Sequence, residues 1–403
     1  MKALAACAIL AAALLGGLPG ASAGSAAEPG ITPTEILLGG TAPLTGPAST
    51  YASVARGAEA YFRHVNARGG VHGRKVVYRY LDDAYNPAIA VTATRQLVED
   101  DGVFAVFNSL GTEGNLAVRG YLNQRKVPQL FVASGATTFG RDFRRYPWTI
   151  GFQPSYEAEG WIYGTYLART RRGAKVAVLF QNDEYGKDLL AGLRRGIARS
   201  GVKIVATQRY EVASPDVGSQ IATLEASGAD TLALFATPKF ATQAYLFAER
   251  LAWRPLVLVN AVSSASNVLR AAAVEAPRAV EGSVSLAYFK DPGDVRWRDD
   301  AGMKLYRSIL GRYARGANAR DVYHVYGMAA AHATVRVLRA AGPQPTRAGV
   351  MAQARKLADA SNPFLLPGVT VRTGAKDGAP VEQGQLQRWN GGTWTAFGGL
   401  WGF

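Results

Sequence analysis

Little in this chain of 403 residues can be oxidised, metallated or cross-linked. Its single cysteine, Cys7, sits in an N-terminal apolar segment. Once that segment is removed, no thiol, disulfide or cysteine-based metal site remains, and the fold must rest on its own core. The four histidines (His64, His72, His324 and His332) form no His-Glu-x-x-His pair. Beyond the N-terminal segment there is no Gly-x-Ser-x-Gly elbow, and the chain has no P-loop. No later stretch reaches the ~18 uncharged apolar residues of a membrane span. Basic residues exceed acidic ones, 45 Lys and Arg against 30 Asp and Glu, for a formal charge of +15. They are scattered, with short groups such as Arg141/Arg144/Arg145 but no run of five or six. A solvated basic surface is the simpler reading, and no nucleic-acid partner is expected.

What is present begins with a leader. Met1-Lys2 gives a short basic start, Ala3 to Leu15 is an unbroken apolar run, and Gly16-Gly17 and Pro19 break it. Ala21-Ser22-Ala23 then supplies a small-x-small cleavage pattern. Residues 1–23 therefore read as a secretory signal peptide cleaved after Ala23, which sends the protein to the periplasm. An uncleaved anchor is the other reading of the same segment. Cys7 lies too far from its end to accept a lipid.

The remaining ~380 residues exceed the ~250–300 at which single cores stop growing, so two lobes are expected. Strand-like and helix-like segments alternate. Ile36–Thr41 is an apolar run, and Val54, Ala58, Tyr61 and Val65 mark one buried helical stripe ended by Arg68-Gly69-Gly70. Lys75–Leu81 reads as a strand and Asn86-Pro87 as a helix start. Phe104–Phe107 and Gln129–Val132 follow as strands. After "YPWTIGFQPS" a second series begins, with strands at Lys175–Phe180, Lys203–Tyr210, Thr231–Phe235 and Leu256–Val259. Strands separated by helices of 10–15 residues imply right-handed βαβ units. The fold class is α/β, with two doubly wound parallel-sheet lobes. Helices and a hairpin around Asn390-Gly391-Gly392 close the chain.

Ligands of open parallel sheets bind beyond the strands' carboxyl ends, where helix N-termini favour anions. Three loops at such ends in the first lobe carry small hydroxyl residues and glycine: "TAPLTGPASTY", "NSLGTEGN" with Ser109, and "ASGATTF". Each alone is compatible with an ordinary cap or turn. Together they point to a bound anionic group. In the second lobe Tyr185, in "QNDEYGKDLL", stands at a loop mouth where it can close over a ligand or simply pack.

These stretches resemble the solute-binding proteins of ABC importers, in the leucine/isoleucine/valine-binding branch. "ILLGGTAPLTGPAS", "NARGGVHGRKV", "LDDAYNPAIAV", "VPQLFVASGAT" and "NDEYGKDLLAGLRRGI" carry the likeness, in that order along nearly the whole chain. The resemblance implies a clamshell with a three-segment hinge. Residues 35–153 and 284–375 would form lobe one, and 154–283 and 376–403 lobe two. It implies an amino-acid carboxylate held at the positions of Thr112, Gly135 and Thr137, with aromatic walls at Tyr51 and Tyr185. Thr237 and Asn260 would complete the pocket. Some members carry a disulfide; Tyr85 and Gly111 stand at its places here.

One departure bears on the ligand. The glutamate that pairs the ammonium in amino-acid-binding members belongs to the loop after Leu256–Val259, and "LVLVNAVSSASNVL" has no acid. Asp183 or Glu184 could replace it, although an acid at that place usually caps a helix. A buried, unpaired ammonium costs several kcal/mol. The expected ligand is a small carboxylate, an amino acid or an ammonium-free or aromatic acid, delivered to ABC permease subunits by a monomer. A sensing receptor component and a binder of a small amide or urea are the alternatives. Neither enzymatic chemistry nor a cofactor is expected.

Overall fold

Strand–helix alternation organises the described chain, residues 28–403 of a computed structural model; the expected signal peptide and Cys7 lie outside these residues. β1 (Glu35–Ala42), β2 (Lys75–Asp82), β3 (Ala105–Phe107), β4 (Gln129–Val132) and β5 (Thr149–Gly151) build one sheet. All its pairings are parallel, in the order β2-β1-β3-β4-β5. The second sheet starts with β6 (Lys175–Gln181), β7 (Lys203–Tyr210), β8 (Thr231–Phe235), β9 (Leu256–Val259) and β10 (Val284–Ala287). A two-stranded ladder of β11 (Ala358–Asp359) and β12 (Val371–Arg372) stands apart from both sheets. β13 (Gln383–Asn390) and β14 (Thr393–Gly402) extend the second sheet antiparallel, giving β14-β13-β10-β9-β8-β6-β7.

Helices α1 (Ala52–Asn66), α2 (Pro87–Arg95), α3 (Thr112–Gln124) and α4 (Thr138–Arg141) connect the first five strands. α5 (Tyr156–Thr170), α6 (Glu184–Ile197), α7 (Gly218–Glu225), α8 (Pro238–Arg250), α9 (Ser266–Glu275) and α10 (Pro277–Val280) connect the second series. α11 (Ala301–Tyr313), α12 (Val322–Ala340) and α13 (Arg347–Ala354) then return to the first core.

The helix starts follow local chemistry. Asn86 accepts the Ala88 N–H with Pro87 at the first turn, Ser155 accepts from Ala158, and Asp183 accepts from Gly186. β8 is buried at every position, as a central parallel strand covered on both faces should be. α12 packs across α1 almost backbone to backbone, because a Cβ at Gly327 would lie only 1.9 Å from the Val54 carbonyl oxygen. One core gathers Leu38, Phe62, Phe107 and Leu130 with Met328 and Val335 of α12. Another gathers Leu179, Leu234 and Val259 with Trp389 and Trp394, which meet edge to face at 5.3 Å beside the hairpin turn.

The chain crosses between the sheets three times: between β5 and α5, between β10 and α11, and between β12 and β13. Val284–Ala287 belongs to the second sheet, since β10 pairs with β9 and β13. The middle passage therefore falls after Ala287 and not at Val284. Residues 378–379 still lie against Gly140, so the last passage comes later than Lys376.

Candidate ligand-binding site

The carboxyl ends of both sheets face a shared cavity, with 820 Å³ of atom-free space including the solvent at its mouth. Tyr51 enters it from the β1–α1 loop, Tyr85 from the β2–α2 loop, and Leu110 and Gly111 from the β3–α3 loop. Across the cleft stand Tyr156 and Tyr185 at the starts of α5 and α6, Thr237 before α8, and Ala261, Val262 and Ser264 between β9 and α9. The segment after β10 supplies Tyr288, Phe289 and Asp291, and α12 supplies Tyr323 and Tyr326. Seven tyrosines and a phenylalanine thus share this wall. No lysine, arginine or histidine lines it, and Asp291 is its one acid.

The hydroxyls of Tyr51 and Tyr323 are anchored, whereas that of Tyr326 is buried without a partner among the described residues. Those of Tyr51 and Tyr323 both donate to the Val262 carbonyl, at 3.1 and 2.9 Å, and their rings meet edge to face at 5.0 Å. This clasp ties the β1–α1 loop and α12 on one side to the β9–α9 loop on the other. Burial holds the Tyr51, Tyr185 and Tyr323 phenols far above their ordinary pKa, helped for Tyr51 and Tyr185 by neighbouring phenols and for Tyr323 by Asp321. They are neutral hydrogen-bonding groups at any physiological pH. Asp291 accepts from the Ser266 N–H and hydroxyl and from the Gly293 N–H, and desolvation pushes its pKa up. Oδ2 thus takes two of these bonds and Oδ1 one.

Of the residues singled out in the sequence, Tyr51, Tyr185 and Thr237 line this cavity. Asn260 is fully buried behind Tyr185: with its amide nitrogen toward the Leu234 and Ala236 carbonyls, its oxygen accepts the Tyr185 hydroxyl at 2.9 Å. Ser109 braces the strand ends, its hydroxyl accepting the Thr41 N–H at 2.9 Å. The Thr112 hydroxyl bonds that of Ser134 at 2.8 Å, and Thr112 borders a neighbouring polar groove with Asp83, Glu113 and Asp183. Gly135 packs on Pro154 and the Tyr156 ring, and its carbonyl accepts the Tyr156 N–H. The Thr137 N–H donates to Asp188 of α6 at 2.8 Å. These five residues support the wall or lie beside it. Asp183 caps α6, desolvation raises its pKa to about 6, and neither it nor Glu184 lines the cavity.

Sequence reading missed the return segment. Tyr323 and Tyr326, three apart in "DVYHVYG", share one helix face, and that spacing was the available signal. It also missed Glu159, a buried carboxyl of α5 that accepts the Ala261 N–H at 2.6 Å and the Tyr163 hydroxyl at 2.7 Å. Burial pushes Glu159 up to about 7. It holds the cavity-lining loop from behind.

A family model described as periplasmic binding protein matches residues 35–393. The chain belongs to the periplasmic binding protein family. This periplasmic binding protein spans about half the length of the curated relatives it matches. The Leu/Ile/Val-binding protein homolog 3 of Brucella melitensis is 28% identical over 200 residues, 49% of this chain and 53% of that protein. Among solved structures, a branched-chain amino acid ABC transporter protein from Thermus thermophilus with bound valine superposes with TM-score 0.80 at 20% identity, covering 92% of this chain and 97% of its own. A fatty acid ABC transporter substrate-binding protein from Thermomonospora curvata reaches 0.79, also at 20% identity, with 94% and 95% covered. These likenesses fix the fold as the type I two-lobed one; the lining of the cavity must carry the question of ligand.

Proposed function

We propose that this periplasmic binding protein is the solute-capturing component of an ABC importer. It is exported by a signal peptide cleaved after Ala23, acts as a monomer, and hands its ligand to a permease in the membrane. Its lobes divide at the three passages between the sheets, and the ligand closes them. Closed and open forms of such a clamshell differ by a few kcal/mol, so contacts made to both lobes shift the balance.

The ligand is a small molecule with a flat or branched apolar body, one polar end and no ammonium group. The observation that carries this is the wall of seven tyrosines and a phenylalanine, with no basic residue and a single acid whose two oxygens already share three internal bonds. A zwitterionic amino acid would bury its ammonium beside no acid but Asp291, which three internal donors already bond. An ammonium-free carboxylate finds uncapped helix N-termini at the wall, those of α8, whose N-cap Thr237 lines the cavity, and of α3. The first turn of α3 carries no side-chain cap, and its N-cap, Gly111, lines the cavity. The fold serves proteins named for ligands as different as valine and fatty acid, so fold alone does not select.

A thermal-shift panel tests the reading: aromatic and branched ammonium-free acids, neutral aromatic amides, urea, leucine and valine. A ligand at ~100 times its Kd adds ~2.7 kcal/mol. Stabilisation by members without an ammonium is the expected result. Stabilisation by leucine or valine alone would overturn it.

A further inference from the structure

The loop between β4 and α4 was expected to hold a ligand's carboxylate, and it does hold a carboxylate: that of Asp188. The Asp188 Oδ2 accepts the Thr137 N–H at 2.8 Å across the cleft, from α6 of the second sheet's lobe. A reciprocal contact lies beside it. Glu113, on α3 of the first lobe, accepts the Glu184 N–H of α6 at 3.2 Å. Each lobe thus lends a carboxylate to a backbone N–H of the other. Thr137 does not border the tyrosine cavity; it faces a separate groove with Gly140 and the 376–379 segment.

We propose that Asp188 is a built-in anion: it fills the backbone seat at Thr137 from within, helps draw the lobes together, and leaves that loop no need of a carboxylate from the ligand. The geometry separates two jobs that one ligand group would otherwise do. Closing the β4–α4 loop falls to the chain itself, and recognition falls to the tyrosine wall. Asp188 thereby acts as a positioning residue: it ties α6 to the β4–α4 loop outside the tyrosine cavity, where an outside carboxylate would meet a like charge already in place. The inference rests on the cleft being a closing clamshell, as in the proposed function, but not on which ligand the wall accepts.

The test uses the mature chain without ligand and acetate as the probe. Asp188→Ala removes the internal carboxylate, whereas Asp188→Asn keeps a carbonyl acceptor. Small-angle scattering should show Asp188→Ala displaced toward the open form, by about tenfold in the open–closed ratio for a lost charge-assisted bond. Sodium acetate at constant ionic strength should restore compactness and melting temperature in Asp188→Ala only. Parent and Asp188→Asn should not respond. A parent protein that responds to acetate as strongly as Asp188→Ala would overturn the proposal, because its seat would then be open to an outside carboxylate. Identical scattering from parent and Asp188→Ala, with no acetate effect, would overturn it as well.

Discussion

Glu159 permits a worked prediction. Carboxyls of its kind ordinarily titrate near 4.5, and burial brings this one to about 7 although the Ala261 N–H and the Tyr163 hydroxyl both bond it. A raised pKa means the folded protein holds this proton more tightly than the unfolded chain. Below about pH 4.5 both states are protonated and the group is neutral to stability. As the pH rises from there to about 7, the unfolded chain ionises first and stability falls; above that the full penalty is in force. A gap of roughly 2.5 pH units at ~1.36 kcal/mol each makes about 3 kcal/mol. Glu159→Gln keeps an oxygen for both donors and cannot ionise. Urea unfolding at pH 4.5, 6 and 8 should show the variant level with the parent at the lowest pH and ahead by up to about 3 kcal/mol at the highest. A difference that stays constant across the three would refute the assignment of a buried, proton-holding Glu159.

Replacing Tyr51 and Tyr323 together by Phe keeps both rings but orphans the Val262 carbonyl, which should weaken closure and ligand affinity about tenfold in a calorimetric titration. Unchanged affinity would show that the clasp contributes nothing. Asp183→Ala should cost about 1 kcal/mol through the lost α6 cap while ligand preference stays the same, as read by melting temperature across a ligand panel. A Cβ at Gly135 would lie 2.5 Å from the Pro154 carbonyl oxygen and 2.8 Å from the Tyr156 ring. Gly135→Ala should therefore destabilise by about 1–3 kcal/mol in thermal unfolding.

The architecture was legible where local chemistry and tertiary structure agree. Asn86-Pro87 starts a helix by itself, and Asn390-Gly391-Gly392 turns a hairpin by itself, so both elements stood in the sequence. The carboxyl-end loops were legible as the place where a site would be. Which way their side chains turn was not, because a loop hydroxyl serves a strand end as readily as a ligand. Ser109 on the Thr41 N–H and Thr112 on Ser134 are both of that kind. The clasp was beyond reach for another reason: Tyr51 and Tyr323 lie some 270 positions apart, and only the packing of α12 across α1 brings them together. β10 was misplaced because a short apolar run carries no sign of which sheet it will join.

Matched pairs differing only in the α-amino group test the central claim most directly: leucine against 4-methylpentanoate, and phenylalanine against 3-phenylpropanoate. Calorimetric titration of the mature chain with each pair isolates the ammonium. The tyrosine wall predicts that the ammonium-free member binds more tightly by ~100-fold or more, since an unpaired buried ammonium costs several kcal/mol. Tighter binding of either amino acid would contradict the account and bring Asp291 or Glu159 to the ligand.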